Sequence, residues 1–435
     1  MRLPTLRRAV AVAAATLLTA SGLAACGGDD DAALPASEQK EFVYWSMWQE
    51  SEPVAKVIKA AIASFEDETG IKVDVQWQGR EVLTKVKAAL NTDDVPDLVD
   101  QGFPAIKAAL GLDDQAMDLS SVYDMDVSGE AGRTVRDAVP EAYDELNTAE
   151  SLILVPYYVS AFSIWYSGRD YPELVDSPPE TWSDFTALFD QVKANGQAPI
   201  AQDADLLSYD SALVDAALVR TLGVGNLHAL VSDESAEGWD APEVHEALDA
   251  IAQLAVDDDY LPGYDSSKWP AMEKAWAADK AAFLHMGSWV PYALGPELDK
   301  DYDLHTFNFP TFGEESAVPV TTYGYAVPSA AEAPDAAKKF IAYFLGSKWL
   351  TKLSTDAEIL TPDPNIDVPK ILEDQQAMLA DNDLYLADDG IVADFPDLTT
   401  RLASLNQGLI TGELSADEYV DKAKEVQEQY WKLNG

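Results

Sequence analysis

From residue 41 to residue 77 the chain reads EFVYWSMWQESEPVAKVIKAAIASFEDETGIKVDVQW. The first five of these residues form a β-prone run, and Pro53 then suits the first turn of a helix. Apolar residues recur at helical spacing as far as Phe65, and Gly70 is placed to end the helix. Residues 71–77 alternate between apolar and polar side chains, which predicts a strand. A strand–helix–strand unit of this length predicts two parallel strands joined by a right-handed crossover.

Strands and helices continue to alternate along the chain. Apolar runs at residues 96–100 and 152–166 predict further strands. Helical patterns occur at residues 82–90, 181–196, 242–256, 269–278, 334–345 and 416–433. This order predicts an α/β fold with mostly parallel sheets. In such sheets ligands bind beyond the carboxyl ends of the strands, near a topological switch point.

The N-terminus has the pattern of a secretory signal. Three arginines precede an apolar run that is too short to span a membrane, and residues 23–26 read LAAC. This ending resembles the lipobox of bacterial lipoproteins, in which the cysteine is acylated and becomes the first residue of the mature chain. The resemblance implies a signal peptide at residues 1–25 and lipidation of Cys26, the only cysteine in the sequence. An incidental thiol is the alternative interpretation.

The segment after the cysteine separates this anchor from the folded body. Residues 26–40 are dominated by Gly, Asp, Ala and Ser, which cannot bury apolar surface, and so predict a flexible tether. About 395 residues follow, enough for two lobes, each with its own core. No later segment has the run of about 18 apolar residues that a membrane-spanning helix requires.

The charge of the chain limits its partners. There are 29 Lys and Arg against 76 Asp and Glu, a formal net charge of −47, and loss of three signal-peptide arginines would make it about −50. Such a field repels phosphate backbones and anionic lipid, which argues against nucleic acid as a partner. It mildly disfavours anionic ligands.

Several blocks of sequence together resemble the family 1 extracellular solute-binding proteins, the sugar receptors of ABC importers. The matching blocks occur in the family's order. They are FVYWSMW (42–48), FEDETGIKV (65–73), VPDLV (95–99), VPYY (155–158), PETWSDF (179–185), AAFLHMGSW (281–289) and AAKKFI (336–341). Each block alone is weak, but their number and order make the resemblance specific over residues 42–345.

The resemblance implies a type II-like periplasmic-binding-protein fold, with two α/β lobes joined by hinge strands. It places residues 41–158 with 326–365 in the N-terminal lobe and residues 159–325 with 366–435 in the C-terminal lobe. It also implies that the lobes close over a sugar or short oligosaccharide in the cleft between them. The partners would be a membrane permease and its ATPase. We expect a monomer, held outside the cytoplasmic membrane by a lipid anchor.

Position-by-position matching to the family also implies a set of cleft residues. A sugar has apolar faces and a rim of hydroxyl groups, so it needs flat aromatic side chains next to polar groups. The residues that the resemblance implies are Trp45, Ser46, Trp48, Gln49, Glu50, Asp100, Gln101, Tyr158, Ser160, Ser288, Trp289 and Tyr323. For the three tryptophans core packing is the alternative, and Asp100 could instead cap the helix that follows it.

Other functions fit the sequence less well. The chain lacks the GxSxG, HExxH, P-loop and GxGxxG patterns, and 76 acidic residues make a pair of carboxylates uninformative about glycoside hydrolysis. Its four histidines are scattered, so we expect no metal centre and no cofactor. A peptide, polyamine or other small solute on the same fold remains open, because the negative charge suits a cationic ligand.

Overall fold

The computed structural model describes residues 35, 38–90, 92, 94–111, 115–299 and 302–434. The predicted signal peptide, Cys26 and most of the predicted tether lie outside the described residues. Among the described residues, no helix is both long enough and apolar enough to cross a membrane.

A mixed sheet runs through the described part of the chain. Along it the strands follow the order β2-β1-β3-β8-β4-β6-β5, while β7 pairs with β4 and β9 pairs with β8. The strand bounds are β1 (Glu41–Ser46), β2 (Lys72–Trp77), β3 (Leu98–Gly102), β4 (Val155–Ser167), β5 (Ala198–Ala201), β6 (Ala281–Gly287), β7 (Leu304–Phe307), β8 (Val318–Ala326) and β9 (Leu384–Leu386).

Helices pack against this sheet along its length. The longer ones are α1 (Pro53–Thr69), α2 (Val82–Ala89), α8 (Leu207–Leu222), α10 (Pro242–Val256), α13 (Pro334–Phe344), α14 (Ser347–Ala357), α15 (Glu373–Asp381), α17 (Pro396–Ile410) and α18 (Ala416–Asn434). The shorter ones are α3 (Phe103–Ile106), α4 (Val135–Ala138), α5 (Glu173–Asp176), α6 (Trp182–Thr186), α7 (Phe189–Ala194), α9 (Asn226–Ser232), α11 (Ala271–Ala277), α12 (Val290–Leu294) and α16 (Ile391–Asp394). Single 3-10 turns and a short π-helical turn at Lys107–Gly111 complete the set.

The predicted first unit is confirmed. β1 and β2 are parallel, with Glu41 opposite Lys72, and α1 joins them. α1 starts at Pro53 and ends at Gly70, whose φ of +74° is a conformation that glycine adopts without a steric penalty. Its apolar side, which includes Phe65, is buried in the core.

The prediction of a mostly parallel sheet is wrong. β1 with β2, β1 with β3, β5 with β6 and β8 with β9 are parallel pairs, but β4 is antiparallel to β6, β7 and β8, and β8 is antiparallel to β3. The apolar runs predicted that these segments are strands, but a continuous apolar run carries no information about strand direction.

Strand β4 connects the two halves of the sheet. Residues from Val155 to Ala161 pair with β8, and those from Phe162 to Ser167 pair with β6 and β7. The register shifts between Pro156 and Tyr158, where proline has no N–H to donate to the ladder.

Two hydrophobic cores pack against the sheet. The first surrounds β1, β3, α1 and α13, where Phe42, Phe65 and Phe340 meet with ring centroids 5.4–6.4 Å apart. The second surrounds β6, α8, α10 and α17, and Phe283 packs there against Phe185 at 5.0 Å. The first core also extends across β4 to Leu284 and Met286 of β6 and to Val290 of α12, so the two halves of the sheet share part of it.

Strands β4 and β8 approach each other closely at Gly324 of β8. A Cβ atom at this position would lie 2.3 Å from the carbonyl oxygen of Val155 and 2.7 Å from the Cα atom of Pro156. Because neither backbone atom can rotate away, we expect Gly324→Ala to lower the free energy of unfolding by about 1–3 kcal/mol, measured by urea denaturation. Gly295→Ala is the control, since a Cβ there would meet nothing within 4 Å. Equal stability of the two variants would contradict this account of the strand crossing.

Candidate functional site

A cavity of about 1010 Å³ opens where the two halves of the sheet meet. Its mouth, which we call the cleft, is lined from both halves. One set of lining residues lies after β1 and β2 or on β3, β4 and β8, namely Met47, Trp48, Glu52, Arg80, Gln101, Gly102, Tyr158 and Tyr323. The other set lies at the second part of β4, on α8, in or next to α11 and after β6, namely Phe162, Ser208, Tyr209, Trp269, Glu273, Trp289 and Tyr292.

The strand directions explain why these residues meet. β1, β2 and β3 run parallel, so Trp48, Arg80 and Gln101 lie together at their carboxyl ends. β5 and β6 are parallel to each other, and their carboxyl ends lead to Tyr209 and Trp289. Both lobes therefore present the carboxyl ends of parallel strands to one cavity, as the sequence pattern predicts.

A buried carboxylate fixes the loop that carries Trp48. Asp100 accepts hydrogen bonds from the backbone N–H of Met47 at 2.8 Å and from the hydroxyl of Tyr157 at 2.6 Å. The Tyr157 hydroxyl in turn accepts a hydrogen bond from the Trp48 indole N–H at 2.7 Å. Burial raises the pKa of Asp100, whereas the Tyr157 and Met47 donors act to lower it. The network holds the indole against the cavity wall.

The wall on this side combines aromatic rings with one ion pair. The rings of Tyr158 and Tyr323 stack at 5.0 Å, and the Arg80 guanidinium lies 4.6 Å from the Trp48 ring centroid. Arg80 also donates to the Met47 carbonyl at 2.7 Å and pairs with Glu52. The cation is therefore fixed in position before any ligand arrives.

Trp289 carries the opposite wall. Its ring lies edge-on to Phe162 at 5.2 Å and stacks with Tyr209 at 6.3 Å. A Cβ atom on Gly287 would lie 2.2 Å from Cζ3 of Trp289, so the absence of a side chain at that position makes room for the indole. The flat rings are thus held by neighbours on β4, β6 and α8.

A buried acid lies beside this second wall. Glu273 accepts a hydrogen bond from the Trp269 indole N–H at 3.0 Å, and Asp203 accepts from the backbone N–H of Glu273 at 3.1 Å. Burial raises the pKa of Glu273 to about 7, and the negative charge of Asp203 contributes to the shift. Near neutral pH the Glu273 carboxyl can therefore donate as well as accept a hydrogen bond.

The structure brings five of the twelve predicted site residues to the cavity. They are Trp48, Gln101, Tyr158, Trp289 and Tyr323. Seven others lie outside the lining residues, namely Trp45, Ser46, Gln49, Glu50, Asp100, Ser160 and Ser288.

The residues outside the lining have other contacts. Ser46 accepts a hydrogen bond from the Trp48 backbone N–H at 3.3 Å, and Ser288 donates to the Val159 carbonyl at 3.4 Å. Glu50 is exposed and pairs with Lys59. Ser46, Asp100, Ser160 and Ser288 are fully buried, and Trp45 packs against the first core. The buried residues of this group therefore lie behind the residues that line the cavity, whereas Gln49 and Glu50 are exposed on the surface.

Sequence reasoning missed several lining residues. Arg80 follows the carboxyl end of β2, so the rule for parallel sheets could have found it. Trp269 was assigned to a helix at residues 269–278, but α11 starts only at Ala271. Glu273 falls within the helical pattern at residues 269–278, and Tyr209 lies on α8, a helix outside the predicted helical patterns. The sequence therefore held no local signal for either side chain as a lining residue.

The chain is similar to known proteins in both sequence and structure. Residues 48–350 match the model of the family described as bacterial extracellular solute-binding protein. The chain belongs to this family. Its members act outside the cytoplasm, and the relatives found are binding proteins, not enzymes.

Two relatives and one solved structure show how far the similarity extends. The diacetylchitobiose binding protein NgcE of Streptomyces coelicolor is 21% identical over 58% of this chain, which spans only 55% of that relative. The multiple sugar-binding protein of Streptococcus mutans is 22% identical over 77% of this chain and 78% of its own length. The bacterial solute receptor AcbH superposes with a TM-score of 0.72 at 17% identity, covering 92% of this chain and all of that one. The predicted two-lobed α/β fold is thereby confirmed.

The raised pKa of Glu273 predicts a pH-dependent stability. The folded state binds this proton more tightly than the unfolded state, whose pKa is close to 4.5. The stabilising contribution is therefore complete below about pH 4.5 and is lost as the pH rises through about 7. Glu273→Gln cannot ionise, so the stability of this variant relative to the unmodified protein should increase by up to about 3 kcal/mol between pH 5 and pH 8.5.

Urea unfolding at those two pH values measures this difference. Glu243→Gln on α10 is the matched control, because Glu243 is exposed. A stability difference for Glu273→Gln that is the same at both pH values would contradict the assignment of a proton to this buried carboxyl.

Proposed function

We propose that this solute-binding protein captures a sugar or short oligosaccharide in the cleft and delivers it to the permease of an ABC-type importer. The observation that carries the proposal is the pair of aromatic walls, Trp48 with Tyr158 and Tyr323 on one side and Trp289 with Tyr209 on the other. Trp48 follows β1 and Trp289 follows β6, strands that lie on opposite sides of β8 and β4 in the sheet, so a flat ligand between these two rings would contact both lobes.

The polar groups at the cleft suit a ring of hydroxyl groups. Arg80 supplies donors, Glu52 and Gln101 supply acceptors, and Glu273 can serve as either near neutral pH. Aromatic faces bind the apolar C–H surfaces of a sugar, and positioned polar groups reject analogues that would leave them unpaired. The volume of the cavity accommodates more than one sugar unit.

The relatives support the same class of ligand. NgcE is named for diacetylchitobiose, the Streptococcus mutans protein for multiple sugars, and AcbH is described with an exclusive preference for β-D-galactopyranose. Because these ligands differ and identities are near 20%, they support a saccharide as the ligand without selecting one.

The charges at the cleft favour a peptide or polyamine ligand less than they favour a sugar. Glu52 is paired with Arg80, and Glu273 retains its proton up to about pH 7, so the cleft carries little net charge. Among the described residues that line the mouth, a dication would find no uncompensated pair of carboxylates. A neutral, hydroxyl-rich solute satisfies these groups better.

The proposal extends to the parts of the chain outside the cleft. We propose that Cys26 carries a lipid anchor, that residues 26–40 form the tether, and that the receptor works as a monomer. We propose lobes of residues 41–158 with 326–365 and 159–325 with 366–435, joined by β4 and β8. Their closure around the sugar would present one surface to the permease.

A thermal-shift panel tests the ligand class. Mono- and oligosaccharides, peptides and polyamines are compared on the purified protein, and a ligand at about 100 times its dissociation constant should stabilise the fold by roughly 2.7 kcal/mol. We expect one saccharide class to raise the melting temperature. Trp289→Ala should weaken that saccharide at least about tenfold, equivalent to about 1.4 kcal/mol, in isothermal titration.

Trp431→Ala is the control for loss of a tryptophan, since Trp431 lies on α18 and does not line the cavity. It should leave the saccharide affinity unchanged. A rise in melting temperature with peptides or polyamines, and none with any saccharide, would overturn the proposed ligand class.

A further inference from the structure

The cavity does not end at the cleft. It continues along α8 into the second lobe, where Asp215, Trp239, Tyr385, Asp388, Asn406 and Tyr419 line a region that we call the distal chamber. Ser208 lines the cleft, and Ser211 and Asp215 follow it on the same face of the helix. Seven helical residues span about 10 Å, so the chamber lies about that far beyond the mouth.

Asp215 has no partner in this chamber. Its side chain is only 7% exposed, yet no hydrogen bond or ion pair to it occurs among the described residues. The neighbouring polar groups satisfy one another instead, because Tyr419 donates to Asn406 at 2.7 Å and Asn406 donates to Ser211 at 3.0 Å. An unpaired buried carboxyl that faces a cavity destabilises the folded protein, which makes it a candidate for contact with a ligand.

The neighbours of Asp215 in the chamber are acidic. Burial and then the charges of Asp388 and Asp389 raise its pKa well above the usual range. Arg220 donates through Nη1 to the Glu315 carbonyl at 2.9 Å, its Nε and Nη2 have no hydrogen-bond partner among the described residues, and it forms no ion pair with Asp215. Lys107 is bound by Asp394. A cation in the chamber would favour the ionised form of these carboxyls, which burial and mutual repulsion disfavour.

We infer that the distal chamber binds a protonated primary amine, held by Asp215 and Asp388 between the rings of Trp239 and Tyr385. An ammonium group donates three hydrogen bonds and is attracted both to carboxylates and to aromatic faces. A metal ion fits less well, because the described residues contain no group of three or more His, Cys, Asp or Glu side chains placed to hold one.

This assignment deepens the proposed function and rests on it, because the amine would reach the chamber through the sugar cleft. The ligand class is then a saccharide, or another solute of the cleft, that carries a free amino group at one end. The cleft would contact the hydroxyl-rich part of this solute, and the distal chamber would bind its ammonium group.

Small amines test the chamber without requiring knowledge of the sugar. The melting temperature of the purified protein is measured in n-butylammonium chloride, in n-butanol and in potassium chloride at equal concentrations. We expect n-butylammonium to stabilise the protein more than either control. Asp215→Asn should abolish the difference, whereas Asp249→Asn, which neutralises an exposed acid on α10, should retain it.

Asp215→Asn is expected to fold, because it replaces an unpaired buried carboxyl with a neutral group of the same size. No specific stabilisation by n-butylammonium, or one that persists in Asp215→Asn, would overturn the inference. The outcome of the saccharide panel does not depend on this test. If n-butylammonium raises the melting temperature through Asp215 and no saccharide does, the sugar assignment alone is wrong. If a saccharide raises it and n-butylammonium does not, the amine chamber alone is wrong.

Discussion

The antiparallel pairing of β4 with β8 is the constraint on which the rest of the structure depends. β4 contributes Val159 to the first core and Ile164 to the second, and its pairing with β8 fixes where the two halves of the sheet meet. Gly324 allows the close approach of β8 to β4 at the bulge next to Pro156. The aromatic residues Tyr158 and Tyr323, which lie on these same strands, are thereby placed at the bottom of the cleft.

The walls of the cavity are positioned before a ligand binds. Asp100, buried behind the first wall, orders the loop that carries Trp48, and Gly287 makes room for Trp289 in the second. Such support matters because rigid groups lose less conformational entropy when they bind. Buried acids in the second lobe, Glu273 and Asp215, provide polar groups at two depths of one cavity.

Much of the fold could be predicted from the sequence because its signals are local. The turn at Gly70 and the helical spacing in α1 define the first β–α–β unit without any tertiary information. Strand direction in β4 and β8 depends on which distant segment pairs with them, which a local pattern does not encode. For that reason the sheet is mixed where a parallel one was predicted.

The candidate site was predictable in part for the same reason. Trp48 and Trp289 follow strand ends and could be placed by family resemblance and strand order. Ser46 and Asp100 have the residue types of a sugar site, but their burial behind the wall depends on the partner Tyr157, more than fifty residues away from Asp100 in sequence. Asp203 accepts hydrogen bonds from the backbone N–H groups of Met272 and Glu273 at the start of α11, and no local pattern encodes this contact between segments about 70 residues apart.

The measurement that tests the central claim most directly is a crystal structure of the protein grown with the saccharide that stabilises it most. The account predicts a sugar ring against the Trp289 indole, with its hydroxyl groups within hydrogen-bond distance of Arg80, Gln101 or Glu273, and with both lobes in contact with the ligand. A saccharide bound outside this cavity, or contacting one lobe alone, would contradict it.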